Sequence, residues 1–398
     1  MTPSTIAEIA PSDTNSLSAS KVDGHHGGGD DANVNDKPDL ATESGLRAYL
    51  AKTPFAGADI APLSGGTANY VYRLRLKERY EGRATLVVKH AKPYVKDWHA
   101  LAFAIERQKY EVEALRRVGA WLPHDSPVRV PAVHLFDEEE HVIIMDDAGE
   151  ATITLKAFMQ QGRATLAAAQ QIGAAVGAFL GGMHRWGTGN AELCESVRGN
   201  AQAKKMSSWA FYGRLVDTLS GASGLPKLLD PPLVAAEEDL EVVKRVAEET
   251  TQACLDVDDT FVMGDFWPGN LMVDTDADGN LKSITVLDWE LTKPGLTGMD
   301  IGQFCGEIHL LRRCHPEVCQ ETASAVLEHF MKEYKRTCEP DEQVVRRAIT
   351  QWGTHMAILG ARVEWGGKEL SRTVVLEGVR ILVDGQRDLS ASFVAPLL

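Results

Sequence analysis

The 398-residue chain has no excess of positive charge: 41 Lys and Arg stand against 56 Asp and Glu, a net −15. An acidic surface repels phosphate backbones and anionic lipid, so neither nucleic acid nor a membrane surface is an expected partner. Cysteine is sparse. The six, scattered from Cys194 to Cys338, imply no disulfide framework and suit a reducing cytoplasm. The first sixteen residues lack the basic-then-apolar pattern of a secretory leader. Long apolar runs are also missing. The best, residues 165–183, is rich in Ala and Gly and broken by Gln170 and Gln171, which reads as a buried helix and not a span. Apolar content of 44 % excludes a wholly disordered or collagenous chain.

Apolar side chains are scarce in residues 1–41, where HHGGGDDANVND sits in the middle. Too little surface can be buried there to offset ordering entropy, so a disordered tail is expected, with His25 and His26 inert. From Thr42, a good helix cap, the pattern changes. YVYRLRL (70–76) alternates at strand period, and ATLVVKHA supplies the returning strand. Residues 103–118 have helical spacing, and PAVHLFD and EHVIIMDDAG read as two more strands. After Gly149 helical patterns dominate (164–184, 233–255 and 299 onward), interrupted by a hairpin over 261–287. The expected class is α+β: a small β-rich lobe over 42–147 joined to a mainly helical lobe over 148–398, with a ligand site at the joint.

Four segments carry chemistry. In FVMGDFWPGNLMVD, Asp265 and Asn270 lie five apart on a loop before a strand, and ITVLDWE ends the next strand at Asp288. One carboxylate beside an attacking hydroxyl and two oxygen ligands for a hard cation are what phosphoryl transfer requires. In LSGGTANYVYRL, Gly65 and Gly66 let backbone amides approach phosphate oxygens, with Ser64, Thr67 and Asn69 around them. The GKS/T ending of a Walker loop is absent. Alone, that glycine pair would be a plain hairpin turn. Lys89 in LVVKHA can turn inward to phosphates if a carboxylate holds it. Glu111 is preferred over Glu113, because Leu115 and Val118 share its helix face. In VIIMDDAG, the strand end at Met145, Asp146, Asp147 and Ala148 offers backbone groups to a flat base.

Together these segments resemble the aminoglycoside phosphotransferase/choline kinase superfamily, from about residue 43 onward, and within it the methylthioribose-kinase-like group. The resemblance implies a protein-kinase-like two-lobed fold and an ATP-dependent, Mg²⁺-dependent transfer to an alcohol. It implies Asp265 as catalytic base, Asn270 and Asp288 as Mg²⁺ ligands, Lys89 on the α- and β-phosphates paired with Glu111, and Met145 to Ala148 as the hinge under adenine. Asp300 in GMDIGQF would brace the catalytic loop. The loop departs from the usual His-Gly-Asp, reading Met263-Gly264-Asp265. That loses a structural hydrogen-bonding group, not the base or a ligand.

The acceptor is expected to be a small hydroxylated molecule, bearing an amine or an aromatic ring, with Glu307, His309, Trp352, Glu364 and Trp365 as candidate contacts. Ordinary core packing explains the same residues. A catalytically silent nucleotide-binding protein is the rival class; the intact Asp265, Asn270 and Asp288 argue against it. A protein kinase is disfavoured because LDWE replaces DFG and no APE-type segment follows. Asp274, Asp276, Asp278 and Gly279 mimic a Ca²⁺ loop but place Thr285 where a bidentate Glu is needed, so a polar hairpin tip is expected. Cys314, His315 and Cys319 lack zinc spacing. His184 reads as a packed histidine.

Overall fold

The alternation of residues 70–76 becomes one strand of a five-stranded sheet. The computed structural model describes residues 37–398. The assigned tail and its His25–His26 pair therefore fall outside the described residues, except for 37–41. Those five belong to the lobe: Leu40 is 3 % exposed, and Asp39 pairs with Lys92 at 2.9 Å. Thr42 then caps α1 (Glu43–Leu50), its hydroxyl accepting the Gly45 amide at 3.1 Å.

Along the chain follow β1 (Asp59–Pro62), β2 (Tyr70–Tyr80) and β3 (Arg83–His90). A small hairpin of β4 (Tyr94–Val95) and β5 (Trp98–Ala102) leads to α2 (Arg107–Trp121). The helix begins later than its spacing suggested, because 98–102 pair as a strand. Next come β6 (Val128–Arg129), β7 (Val133–Asp137) and β8 (Val142–Asp146). The sheet order is β1-β2-β3-β8-β7, antiparallel throughout. Period-2 alternation splits its faces. Tyr72, Leu74, Leu86, Val88, Val142 and Ile144 pack a core under α1, while Val71, Val87, Lys89 and Met145 take the opposite face.

The second lobe starts with β9 (Ile153–Thr154), α3 (Leu155–Gln160) and α4 (Leu166–Thr188). Shorter helices α5 (Ala191–Val197), α6 (Ala201–Phe211), α7 (Leu215–Ser220) and α8 (Pro226–Leu229) precede α9 (Glu237–Asp256). Strands β10 (Thr260–Val262), β11 (Leu271–Thr275), β12 (Leu281–Val286) and β13 (Lys293–Gly295) carry the motif loops. Helices α10 (Gly298–Cys314), α11 (Pro316–Cys338), α12 (Glu342–Arg362) and α13 (Lys368–Arg387) complete the lobe. The lobes interlock, since β6 pairs in parallel with β12 in the sheet β6-β12-β11-β9.

Among the described residues, α4 is the one helix long and apolar enough to cross a membrane. Here it is a core helix. Gly173 and Gly177 lie against the backbone of Val326 and Phe330 on α11, where any Cβ would collide. The Asp-rich segment forms the β11–β12 hairpin tip, with Asp276 Oδ1 accepting the amides of Asp278 and Asn280 at 2.9 Å each.

Candidate active site

The antiparallel β11–β12 pair sets the geometry of the site. Leu271 faces Val286 across it, and the Leu287 amide donates to Asn270 O at 2.8 Å, so Asn270 and Asp288 arrive side by side. Asp288 sits at φ +66°, a left-handed conformation that costs a non-glycine residue on the order of 1 kcal/mol or more. Its side chain is partly exposed, at 24 %. Above the hairpin lies a cleft of about 850 Å³ between the lobes. That is the size of a nucleotide-class pocket.

Gly65, Gly66, Thr67, Asn69, Lys89, Glu111, Met145, Asp146, Ala148, Asn270 and Asp288 all line this cleft, together with apolar Val71, Val87, Met272 and Leu287. Gly65, at φ +102°, uses the left-handed backbone open to glycine. Two assigned residues are not in the wall. Ser64 is exposed and lies outside it, which removes it from the nucleotide-binding set on geometric grounds. Asp265 sits on the far side of the catalytic loop. Asn69 has both side-chain polar atoms committed: its amide donates to Glu290 at 2.8 Å, and its oxygen accepts from Arg107 at 2.8 Å. Asn69 therefore holds the loop in place and does not offer its side chain to phosphate. At the hinge, the Asp146 amide already donates to Ala132 O, and its carboxylate is tied to Arg83 and to His134. The hinge contribution thus falls to the backbone of 147 and 148. Asp147 closes that edge through a bidentate pair with Arg73, at 2.6 and 2.9 Å.

Lys89 points inward. Its ammonium lies 2.7 Å from Glu111, 2.6 Å from Asp288 and 3.6 Å from Glu290. Glu113, the rejected alternative, pairs with Arg117 on its own helix. Buried Arg107 adds a second cation, 3.0 Å from Glu290. Among the described residues, Glu111, Asp288 and Glu290 form the one group of oxygens close enough to share an ion, and Lys89 is the cation they hold here. Burial drives the Glu111 carboxyl up to about 7, with Asp288 and Glu290 adding to the rise and Lys89 opposing it. Burial and Glu290 likewise raise Asp288, against Lys89. An incoming divalent ion would relieve that crowding. The donor chemistry fits one: a carboxylate at Asp288, and an amide oxygen at Asn270, whose nitrogen is used on Asp265 at 3.1 Å.

The catalytic loop is braced from α10. Asp300 accepts the amides of Met263 at 2.9 Å and Gly264 at 3.0 Å. Gly264 lies at φ +82°, where a Cβ would run into Leu291 O and the Lys293 ammonium. No imidazole stands at 263, but His184 from α4 approaches Asp300 at 3.3 Å and meets the Tyr334 hydroxyl at 2.8 Å. An imidazole thus reaches the brace from another element. One turn along α10, Gln303 donates to Asp265 Oδ1 at 2.6 Å. Below this point a smaller cleft of about 370 Å³ is bordered by Gly264, Gln303, Ser207, Phe211, Met299 and Lys293.

The expected acceptor contacts do not converge. Trp352 donates to His309 at 3.1 Å, and His309 meets Glu377, in a separate buried cluster. Glu364 pairs with Lys227 near the surface. Glu307 is fully buried between Lys156 and His355, at 2.8 and 2.7 Å. Burial pushes its carboxyl up, but Lys156 and His355 outweigh that and hold it near 2. Trp365 packs over Lys156. Cys314, His315 and Cys319 form no shared ligand set, and His315 meets Gln160 instead.

Sequence reasoning missed Glu290, Arg107, Gln303 and Lys156. Glu290 was in sight, two residues past Asp288. Gln303 had the signal of sitting three residues, hence one helical turn, after Asp300.

The sequence profile of the phosphotransferase enzyme family matches residues 59–341, which contain both walls of the site. The chain belongs to that family. Other phosphotransferases align along nearly its whole length. The 4-hydroxytryptamine kinase of Psilocybe cyanescens is 26 % identical over 360 residues, 88 % of this chain and 94 % of that protein. The methylthioribose kinase of Bacillus velezensis is 26 % identical over 355 residues, 84 % and 82 % of the two chains. Among solved structures, an amicoumacin kinase in complex with AMP-PNP, Ca²⁺ and Ami matches with a TM-score of 0.52 at 13 % identity, covering 92 % of this chain and 100 % of that one. That likeness shows the kinase-like two-lobed fold. As a phosphotransferase of this family, the protein is a small-molecule kinase.

Proposed function

We propose that the protein transfers the γ-phosphate of Mg·ATP to a hydroxyl of a small acceptor. The observation that carries this reading is the grouping of Lys89, Asn270 and Asp288 on one cleft wall, with Asp265 held by Asn270 behind it. The apolar strip of Val71, Val87, Met272 and Leu287 suits a purine, and the hinge backbone its polar edge. Lys89, kept protonated by three carboxylates, steadies the phosphates. Asn270 and Asp288 would hold Mg²⁺, which neutralises phosphate charge when bound.

Asp265 acts on the acceptor. Its carboxylate takes the hydroxyl proton as the oxygen attacks the γ-phosphorus in line. The bond from that phosphorus to the bridging oxygen breaks, and ADP leaves. Asp300 and Gln303 fix the loop and the carboxylate, so the base is positioned before the acceptor arrives. Six unpaired cysteines support action in the reducing cytoplasm. The expectation of an aromatic or amine-bearing acceptor loses its footing, since Trp352 and Trp365 are buried and bonded.

The test is ADP release across sugars, polyols, amino alcohols and hydroxyindoles at saturating Mg·ATP. At least one alcohol should raise ADP release above the acceptor-free rate. Tight ATP binding with no acceptor-stimulated turnover would instead give the silent nucleotide-binding protein.

A further inference from the structure

Lys156, on the first turn of α3, does not reach solvent, with 4 % of its surface exposed. Its ammonium lies 5.1 Å from the ring centre of Trp267 and 4.7 Å from that of Trp365. Glu307 closes a third side at 2.8 Å and is itself fixed by His355 Nε2 at 2.7 Å. Trp365 is anchored by its indole N–H on Leu359 O at 3.1 Å. Trp267 belongs to the catalytic loop, between Asp265 and Asn270. Two indole faces and a carboxylate around one point are the arrangement by which proteins bind ligand ammonium groups. Here the chain's own ammonium fills it.

A second observation bears on the same question. The cleft below Gln303 carries a cation in its border, Lys293, whose ammonium donates to Leu291 O at 3.1 Å. The remaining polar groups there are neutral, and the buried Ser207 hydroxyl among them has no hydrogen-bond partner. Nearby, the Gln351 amide nitrogen and the Trp267 indole N–H are also buried and without partners. Unmet neutral donors favour hydroxyl or carbonyl oxygens on a ligand, and two resident ammonium groups repel a third.

We propose that Lys156 is a built-in occupant of an ammonium cage beside the catalytic loop, and that it restricts the enzyme to hydroxylated acceptors without a cationic group. The proposal rests on the phosphotransferase reading and narrows its acceptor class to neutral polyols and sugars. It makes Lys156 a specificity-determining residue, not a catalytic one.

The test has two arms. In the first, thermal unfolding of wild type and Lys156→Ala is followed with added n-propylammonium or, as its uncharged counterpart, n-propanol. The ammonium should raise the melting temperature of the variant and not of wild type, and propanol should do neither. A folded Lys156→Ala protein with no ammonium-specific response overturns the cage. The second arm needs no variant: wild type is assayed with neutral polyols and sugars against hydroxyalkylamines of matched size. Neutral acceptors should lead by roughly tenfold or more in kcat/KM, and Lys156→Ala should narrow that ratio. Faster wild-type turnover of the amines overturns the selectivity. Ammonium rescue without turnover of any alcohol overturns the phosphotransferase reading and leaves the cage standing.

Discussion

Gln303 donates a 2.6 Å hydrogen bond to Asp265, and Asp300, one turn earlier on the same helix, holds the two amides that precede that aspartate. Helix α10 therefore fixes both the backbone and the carboxylate of the catalytic loop. Gln303→Leu keeps the shape and removes the donor. Its kcat is expected to fall by roughly 10- to 100-fold with the KM for ATP unchanged, because the base loses its aim and the nucleotide site is untouched. Steady-state kinetics in both substrates decide it, and an unaltered kcat would make Gln303 a packing residue only.

Asp288 is expected to be the residue through which divalent dependence acts. Chelation should stop turnover in wild type, and added Mg²⁺ should restore it. In Asp288→Asn the Mg²⁺ concentration for half-maximal rate should rise at least roughly tenfold, since a neutral amide is a poorer ligand than a carboxylate. An unchanged Mg²⁺ curve would place the metal elsewhere.

Much of this site was legible because its parts are local. Asp265 with Asn270, and Asp288 at the end of the following strand, lie within one hairpin, so spacing alone brings them together. Lys89 and Glu111 needed only the step from a strand to the next helix. What was not legible spans long sequence distances. Asn69 looked like a phosphate contact in a glycine loop, yet its partners are Glu290, 221 residues away, and Arg107, 38 away. No periodicity reveals such pairings. The late tryptophans show the converse limit: aromatic residues on a helix look alike whether they line a pocket or fill a core, and Trp352 fills a core. The alternation of β2 and β3 exposed the lobe architecture early, because period 2 is a property of the backbone itself.

The Glu307 carboxyl, held near 2, makes a pH-dependent contribution whose sign follows from linkage. Its folded value lies below the ordinary 4.5. The stability it adds is therefore present above about pH 4.5 and is lost as pH falls toward 2. Glu307→Gln should melt below wild type at pH 7, by on the order of 3 kcal/mol in stability, and the gap should close between pH 4.5 and 2. Melting curves across that range check it; a gap that widens on acidification would contradict the assignment.

The edge of the small lobe can be located by truncation. A chain beginning at residue 37 keeps Leu40 and the Asp39–Lys92 pair, and one beginning at 42 loses both. The shorter chain should be less stable than the longer by about 2 kcal/mol, the worth of burying one leucine. Equal denaturant midpoints would show that Leu40 contributes nothing to the lobe.

The most direct measurement follows the phosphorus itself. Wild type and Asp265→Asn are each incubated with γ-³²P-labelled ATP, Mg²⁺ and an acceptor that stimulates ADP release, with nucleotide binding measured in parallel. The label should appear on the acceptor hydroxyl with wild type. With Asp265→Asn, transfer should fall by roughly 10²-fold or more while ATP binding persists, as expected for a carboxylate that acts on the acceptor. Label transfer by Asp265→Asn at the wild-type rate, or ADP release by wild type with no label on the acceptor, would contradict the mechanism.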